Sequence, residues 1–302
     1  MKIHMAGKSG DLVYALPVIK ALARQHGPVT LVTSAMCYQI VPLLWEQSYI
    51  KDVVMDYDHA YSMHNGSVEP WAYFAPGEGI NLSPQPAMYR PDAPVPWTLA
   101  YAEIAGIGEL TANDKMALPS LWNHRQWYWE HTVRVGVNIG GNSTWKPPQT
   151  CVLAPESESI KTVPLWVWAK VAGHLKQEFR VIVVGTRPTD DFRGVEGVID
   201  LRGYTTACSV ARLLAEATLA ITTISLPFQL SRHAGTPTFC LQDQYLERSI
   251  PIDTPYRYYT SDRWQDLVND AIQLAAKPQT TLWSPSDLEA IRAGDVAALA
   301  AR

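Results

Sequence analysis

The chain has 302 residues, 47% hydrophobic and 18% charged, with a formal net charge of −4. That length supports a substantial core and two domains, and the acidic balance argues against broad non-specific attraction to nucleic acid, although a local basic patch would survive it. No apolar run approaches the roughly 20 residues of a membrane helix, no charged-then-apolar leader opens the chain, and Cys37, Cys151, Cys208 and Cys240 form no C-x-x-C pair, so a cytoplasmic protein with reduced thiols is expected.

The first half alternates. Lys2 to Met5 reads as a short buried strand, and Leu12, Leu16, Ile19 and Leu22 recur at helical spacing up to His26-Gly27. Between them stands a glycine-bracketed loop, Gly7-Lys8-Ser9-Gly10, with Asp11 at the helix mouth. The glycines allow a tight turn and the close approach of another molecule. Asp11 reads either as the N-cap of that helix or as a functional carboxylate. A strand over Val29 to Thr33, a helix over Ala35 to Glu46 and a strand over Lys51 to Met55 follow. From Tyr57 to Trp97 the pattern dissolves into glycine- and proline-rich sequence, a long irregular region of the kind that is functional or mobile. A short helix is expected from Trp97 to Ala105.

After an aromatic bridge, Trp122 to Trp129, a second alternating series opens with a strand over Val133 to Ile139 and the loop Gly140-Gly141-Asn142. Helices are expected from Pro164, over Thr206 to Glu216 and over about Pro227 to His233. The strands between them cover Arg180 to Val184, Val198 to Leu201, Thr218 to Thr222 and Thr238 to Leu241. Two helical patterns, Asp262 to Ala276 and Ser286 to Ala300, end the chain. Strands alternating with helices predict parallel sheets covered on both faces. The expected fold is α/β with two facing Rossmann-like domains, residues 1–128 and 129–302, and a cleft between them.

Several motifs are absent. Gly7-Lys8-Ser9-Gly10 lacks the upstream glycine of a P-loop, no G-x-G-x-x-G follows the first strand, and no Gly-x-Ser-x-Gly nucleophile elbow occurs. Asp56-Tyr57-Asp58, beside His59 and His64, is too short a match to imply a metal, and none is expected. Gly140-Gly141-Asn142 and Gly185 stand where strands end, the positions at which open α/β sheets take ligands, or are ordinary strand-end turns. Lys161, three residues before Pro164, would stand beside a helix N-terminus where an anion docks, or is a solvated surface lysine. Trp166-Val167-Trp168 and Trp127-Tyr128-Trp129 are expected in core or hinge packing, and His233 as a capping or core group.

Four blocks occur in a telling order. They are Gly10-Asp11-Leu12-Val13-Tyr14-Ala15-Leu16-Pro17, Ile160-Lys161-Thr162-Val163-Pro164-Leu165-Trp166-Val167-Trp168, Asp200-Leu201-Arg202-Gly203-Tyr204-Thr205 and Gly235-Thr236-Pro237. Together they resemble the G-D-x-x-x-x-x-P, K-x-W-P-x-x-x-W, D-L-x-G-x-T and G-T-P segments of the heptosyltransferase family of glycosyltransferases, which has the two-Rossmann GT-B fold. The resemblance spans most of the chain. It departs at the donor segment D-S-G-x-x-H, which falls on Ile224-Ser225-Leu226-Pro227-Phe228-Gln229 and keeps only Ser225.

The resemblance implies inverting transfer of a sugar from a nucleotide-diphosphate donor to an acceptor hydroxyl, with no cofactor and no obligatory metal. Asp11 would be the general base, and Lys161 would stabilise the leaving diphosphate. Ser225 and the backbone at Leu226 would assist, Gly140, Gly141, Asn142 and Gly185 would border the donor, and Lys8 and Gly10 would face the acceptor. A carboxylate of ordinary pKa near 4 is a weak base, which burial would strengthen. The Tyr57 to Trp97 region is the natural acceptor-specific element. A glycan or another hydroxyl compound is the expected acceptor, with nucleic acid not ruled out. The altered donor segment also fits a non-catalytic GT-B-like binding protein, and the fold is shared with sugar-nucleotide epimerases.

Overall fold

The computed structural model describes residues 1–5, 7–56, 79–82, 96–115, 117–118, 149–155, 163–186, 195–243 and 256–276. It divides into two compact units, one holding the described residues up to Leu118 and the other those from Gln149 onward. The expected domain boundary after residue 128, the strand over Val133 to Ile139, the aromatic bridge and the last helix, Ser286 to Ala300, lie outside the described residues.

In the first unit β1 (Lys2–Met5) leads into α1 (Ser9–His26), then β2 (Val29–Ser34). Where one helix was expected after β2, the chain makes a 3-10 turn (Ala35–Ile40) followed by the short α2 (Val41–Trp45). Ser34 caps that turn by accepting the Met36 N–H at 3.2 Å. Pro42, which lacks an N–H, cannot continue a turn across the junction and instead sits in the first turn of α2, where none is needed. β3 (Ile50–Asp56) completes the predicted strands. A fourth, β4 (Ile80–Asn81), arises in the stretch read as irregular and pairs parallel with β1, Ile3 opposite Ile80.

The four strands run in the order β3-β2-β1-β4. α1 is buried almost all round, Leu12, Leu16, Ile19 and Leu22 being at most 1% exposed. Each such side chain contributes about 1.5–3 kcal/mol of burial. α3 (Trp97–Ile104) packs on α1 through the Tyr14–Trp97 ring pair, 5.2 Å between centroids, and Thr98 Oγ1, which donates to the Tyr14 carbonyl at 3.0 Å.

The single-turn α4 (Ala112–Lys115) is fastened to the far end of α1 by a fork. Arg24 Nε and NH2 reach Asp114 Oδ1 and Oδ2 at 3.2 and 2.9 Å, while the Thr111 N–H and hydroxyl donate to Oδ2 at 2.9 and 2.7 Å. Burial opposes the charge on Asp114, but these donors outweigh it and hold the carboxyl below its usual 3.8. A depressed folded pKa gives stability that is complete above the unfolded value near 3.8 and lost as pH falls through the folded one. Asp114→Asn is therefore expected to cost about 1–3 kcal/mol at pH 7 and to flatten the acid limb of a stability–pH curve below about pH 4, read by urea denaturation. Identical acid limbs would contradict this assignment.

In the second unit β5 (Thr150–Ala154) is followed by α5 (Leu165–Leu175), β6 (Arg180–Val183) and β7 (Ile199–Asp200). Next come α6 (Ala207–Glu216), β8 (Leu219–Thr222), α7 (Leu226–Ala234) and β9 (Thr238–Leu241). β10 (Tyr256–Tyr259), a 3-10 turn over Ser261–Arg263 and α8 (Trp264–Ala276) close the described part. All pairings are parallel, in the order β10-β9-β8-β5-β6-β7.

β5 and β10 were not among the expected strands. β5 is the central one and is buried along its whole length, as a strand covered on both faces must be. Trp168 and Val171 of α5, Leu219 and Ile221 of β8, and Leu267 of α8 meet in the core with it. Thr206 caps α6 by accepting the Ser209 N–H at 3.2 Å. Gly235 ends α7 in the left-handed conformation, φ 68°, which no Cβ penalises, and Thr236 Oγ1 donates back to the Leu214 carbonyl. The Gly235-Thr236-Pro237 block is thus a helix stop that turns the chain into β9.

Candidate functional site

The turn from β1 into α1 lies at the carboxyl end of the first sheet, where β1 is flanked by β2 on one side and β4 on the other. This is the sheet's switch point, the place where open α/β folds present ligand-binding groups. Lys8, not Asp11, is the N-cap; Ser9, Gly10 and Asp11 are the first three helical residues. Asp11 Oδ2 accepts the Lys8 N–H at 2.9 Å, folding the carboxylate back over the loop. Gly7 makes room for it, since a Cβ there would stand 3.0 Å from Asp11 Cβ and 3.3 Å from Oδ2. The unpaired N–H groups of a helix's first turn favour an anion there.

The loop is held from below. Ser9 Oγ donates to the Met36 carbonyl at 3.2 Å, and Cys37 Sγ to the Gly7 carbonyl at 3.3 Å. Burial, and secondarily the nearby Asp11 charge, push the Cys37 thiol up to about 12, so it stays neutral. Tyr101 of α3 is fully buried, with its hydroxyl unpartnered among the described residues. Burial first, then the neighbouring Asp11, Tyr14 and Cys37, hold that phenol well above its ordinary pKa. Asp11 is half-buried, with Lys8 exposed beside it, whereas the Cys37 thiol and the Tyr101 phenol behind the loop are buried.

In the second sheet β5 lies between β6 and β8, so the chain winds first to one side of β5 and then crosses to the other. This is the nucleotide-binding winding order, with its switch point between β5 and β8. One expected site element stands there, and a second lies on the other side of β5. Ser225 and Leu226 open α7 directly after β8, and Gly185 follows β6, where a Cβ would meet the Pro155 carbonyl at 3.4 Å. Ser225 is the N-cap but makes no side-chain cap; its hydroxyl donates to the Thr223 carbonyl at 3.3 Å instead. Gly203 donates its N–H to the Gly185 carbonyl at 2.9 Å, and Asp200 binds Arg202 in a fork at 2.9 and 2.8 Å. The Asp200–Gly203 block is thus a turn that fixes the neighbourhood of Gly185.

Ile224, where the resemblance places an aspartate, is 3% exposed, and its N–H donates to Gln242 Oε1 at 3.0 Å. Gln229, in the histidine's place, is fully buried and accepts from Arg232 at 3.3 Å through Oε1. Gln229 Nε2 and Thr222 Oγ1 are buried with no hydrogen-bond partner among the described residues. Buried polar groups are nearly always paired; of these two, Thr222 ends β8 and Gln229 lies in the first turn of α7.

Lys161, Gly140, Gly141 and Asn142 lie outside the described residues, as do His59 and His64. His233 is buried in α7, in keeping with a core group. Trp168 is fully buried whereas Trp166 is 56% exposed, so the paired tryptophans divide between core and surface. Gln242, Thr222 and Tyr101 were not foreseen; each is an ordinary residue in sequence, and only its burial without obvious need marks it. Among the described residues no cluster of three His, Cys, Asp or Glu side chains suits a metal ion, and no helix is long and apolar enough to cross a membrane.

No family model and no curated protein sequence matches the chain. Solved structures do. The glycosyl transferase family 9 protein of Veillonella parvula DSM 2008 superposes with a TM-score of 0.58 at 13% identity, over 99% of this chain and 96% of that one. The E. coli heptosyltransferase WaaC with ADP-2-deoxy-2-fluoro heptose gives 0.56 at 12% identity, over 90% and 100%. The iron-containing dodecameric glycosyltransferase TibC of enterotoxigenic E. coli gives 0.51 at 15% identity, over 85% and 61%. What these likenesses establish is the fold: an α/β chain of the GT-B class, built like heptosyltransferases, as the motif blocks implied.

Proposed function

We propose, from the GT-B fold shared with those heptosyltransferases, that this chain is a glycosyltransferase moving a sugar from a nucleoside-diphosphate donor to an acceptor hydroxyl with inversion. The observation that carries the reading is the second switch point, where α7 begins with a serine that does not cap it and two orphaned polar atoms lie buried beside it. A diphosphate suits such a helix terminus through backbone N–H groups and the helix dipole. ADP-heptose analogues, as in the WaaC complex, are the first donors to try.

In the reaction, the acceptor oxygen attacks the anomeric carbon from the face opposite the diphosphate. Asp11 takes the hydroxyl proton as the new C–O bond forms. The bond between the anomeric carbon and the phosphate oxygen breaks, and its electron pair leaves with the nucleoside diphosphate. Lys161 and the first turn of α7 stabilise that developing charge electrostatically. Ser225, Leu226, Gly185 and Gly140 to Asn142 border the donor; Lys8 and Gly10 lie on the acceptor side. No cofactor or metal takes part in this scheme, and residues 1–128 and 129–302 serve as the acceptor and donor domains.

Ile224 and Gln229 favour a second reading, a protein that binds nucleotide sugar without turning it over, because they replace two donor-segment residues of the family pattern. The product separates the two. Incubation with nucleoside-diphosphate sugars and acceptor alcohols, followed by NMR, is expected to show a glycoside whose anomeric configuration is opposite to the donor's. Retained configuration would contradict the base role of Asp11, and donor binding with no nucleoside diphosphate released would favour the silent protein.

A further inference from the structure

We infer that Gln242, one residue beyond β9, is a positioning residue that holds the β8–α7 turn in shape for a nucleoside diphosphate. The inference rests on the donor site proposed above and adds the group that holds its turn in place. Gln242 is fully buried. Its side-chain oxygen accepts the Ile224 N–H at 3.0 Å, at the centre of the turn between Thr223 and Ser225. Its own backbone is tied to β10 on both sides. The Gln242 N–H donates to the Tyr259 carbonyl at 2.9 Å, and the Tyr258 hydroxyl donates to the Gln242 carbonyl at 2.6 Å. The turn is thereby fixed to two strands besides its own β8, β9 and β10 on its flank.

Chemistry favours a carboxamide in this position. The turn needs an acceptor for a buried N–H, because an orphaned donor there would be costly. A carboxylate would serve as acceptor but would bring a negative charge close to the phosphates. Gln242 accepts while remaining neutral, and its position is set by strands rather than by the mobile end of a loop. The Ile224 side chain is apolar and buried, and Gln242 reaches the turn through the Ile224 backbone N–H. Ser225 and Leu226, the next two residues, take their direction from that anchor.

The test is calorimetric titration of the full-length protein with ADP, and with UDP, GDP and CDP, alongside urea denaturation. Gln242→Met keeps roughly the volume and removes the acceptor; it is expected to weaken the nucleoside diphosphate's Kd about tenfold or more. In turnover it should raise the donor KM while leaving the acceptor KM unchanged, a split that mere loss of stability would not produce. Tyr258→Phe, a gentler change that removes only the hydroxyl steadying Gln242, is expected to weaken binding in the same direction by about threefold, and it stands in if Gln242→Met does not fold. Wild-type affinity in both variants, with urea midpoints lowered or not, would overturn the positioning role while leaving the donor site intact. A wild-type protein that binds none of the four nucleotides would overturn the donor site and this inference with it.

Discussion

Asp11→Asn is expected to slow sugar transfer by about 10²–10⁴-fold, the usual contribution of a positioned general base. The substitution keeps size and shape, and its carboxamide oxygen still accepts the Lys8 N–H now bound at 2.9 Å. The loop should therefore survive, with Gly7 below it and Met36 and Cys37 holding it through Ser9 and the Gly7 carbonyl. What is lost is the ability to take a proton. Donor affinity, which the proposed scheme assigns to the other unit, is expected to stay within about twofold, so the loss falls on kcat rather than on donor KM. Rates within about threefold of wild type would remove Asp11 from the chemistry.

The largest effect on stability is expected at Trp168. It is fully buried in the core of the second unit, among residues of β5, β8 and α8, and truncation leaves a cavity that the surrounding structure closes only in part. Trp168→Ala is expected to cost about 3–5 kcal/mol, a large share of a typical domain's stability. Trp166, two residues earlier and 56% exposed, has Lys170 Nζ 4.9 Å above its ring. Its loss should cost no more than about 1 kcal/mol, the scale of an exposed cation–π contact. Urea midpoints of the two variants decide it. Equal losses would mean that the aromatic pair acts as one packing unit.

The difference between those tryptophans shows where reading the chain stops short. The pair could be recognised as packing residues, but which one faces the sheet depends on the helix's rotation, fixed only when α5 docks. β1, α1, β2 and β3 were legible because apolar periodicity and glycine punctuation agree there. β4 was not: two residues show no period, and Ile80–Asn81 is a strand only because β1 offers it a free edge. β5, Thr-Cys-Val-Leu-Ala, is a short apolar run without alternation, as a strand buried on both faces must be, and periodicity gives it no signal.

Among the site residues Asp11 stood out because glycines frame it, although its place inside the first helical turn, closing back on Lys8, appears only in three dimensions. Ser225 survived a damaged motif and proved to open a helix at the switch point. Gln242 was illegible. A glutamine after a strand is unremarkable until its side chain is seen to meet the Ile224 N–H, 18 residues earlier.

The central claim is that the second unit binds a nucleoside-diphosphate sugar, and a thermal-shift panel of nucleotides and nucleotide sugars tests it most directly. A ligand that binds only the folded protein at roughly 100 times its Kd adds about 2.7 kcal/mol of stability. For domains of this size that raises Tm by several degrees, at about 2–4 °C per kcal/mol. A clear rise with one nucleoside-diphosphate sugar, and a smaller or equal one with its bare diphosphate, is the predicted result. An unchanged Tm across the whole panel would contradict it.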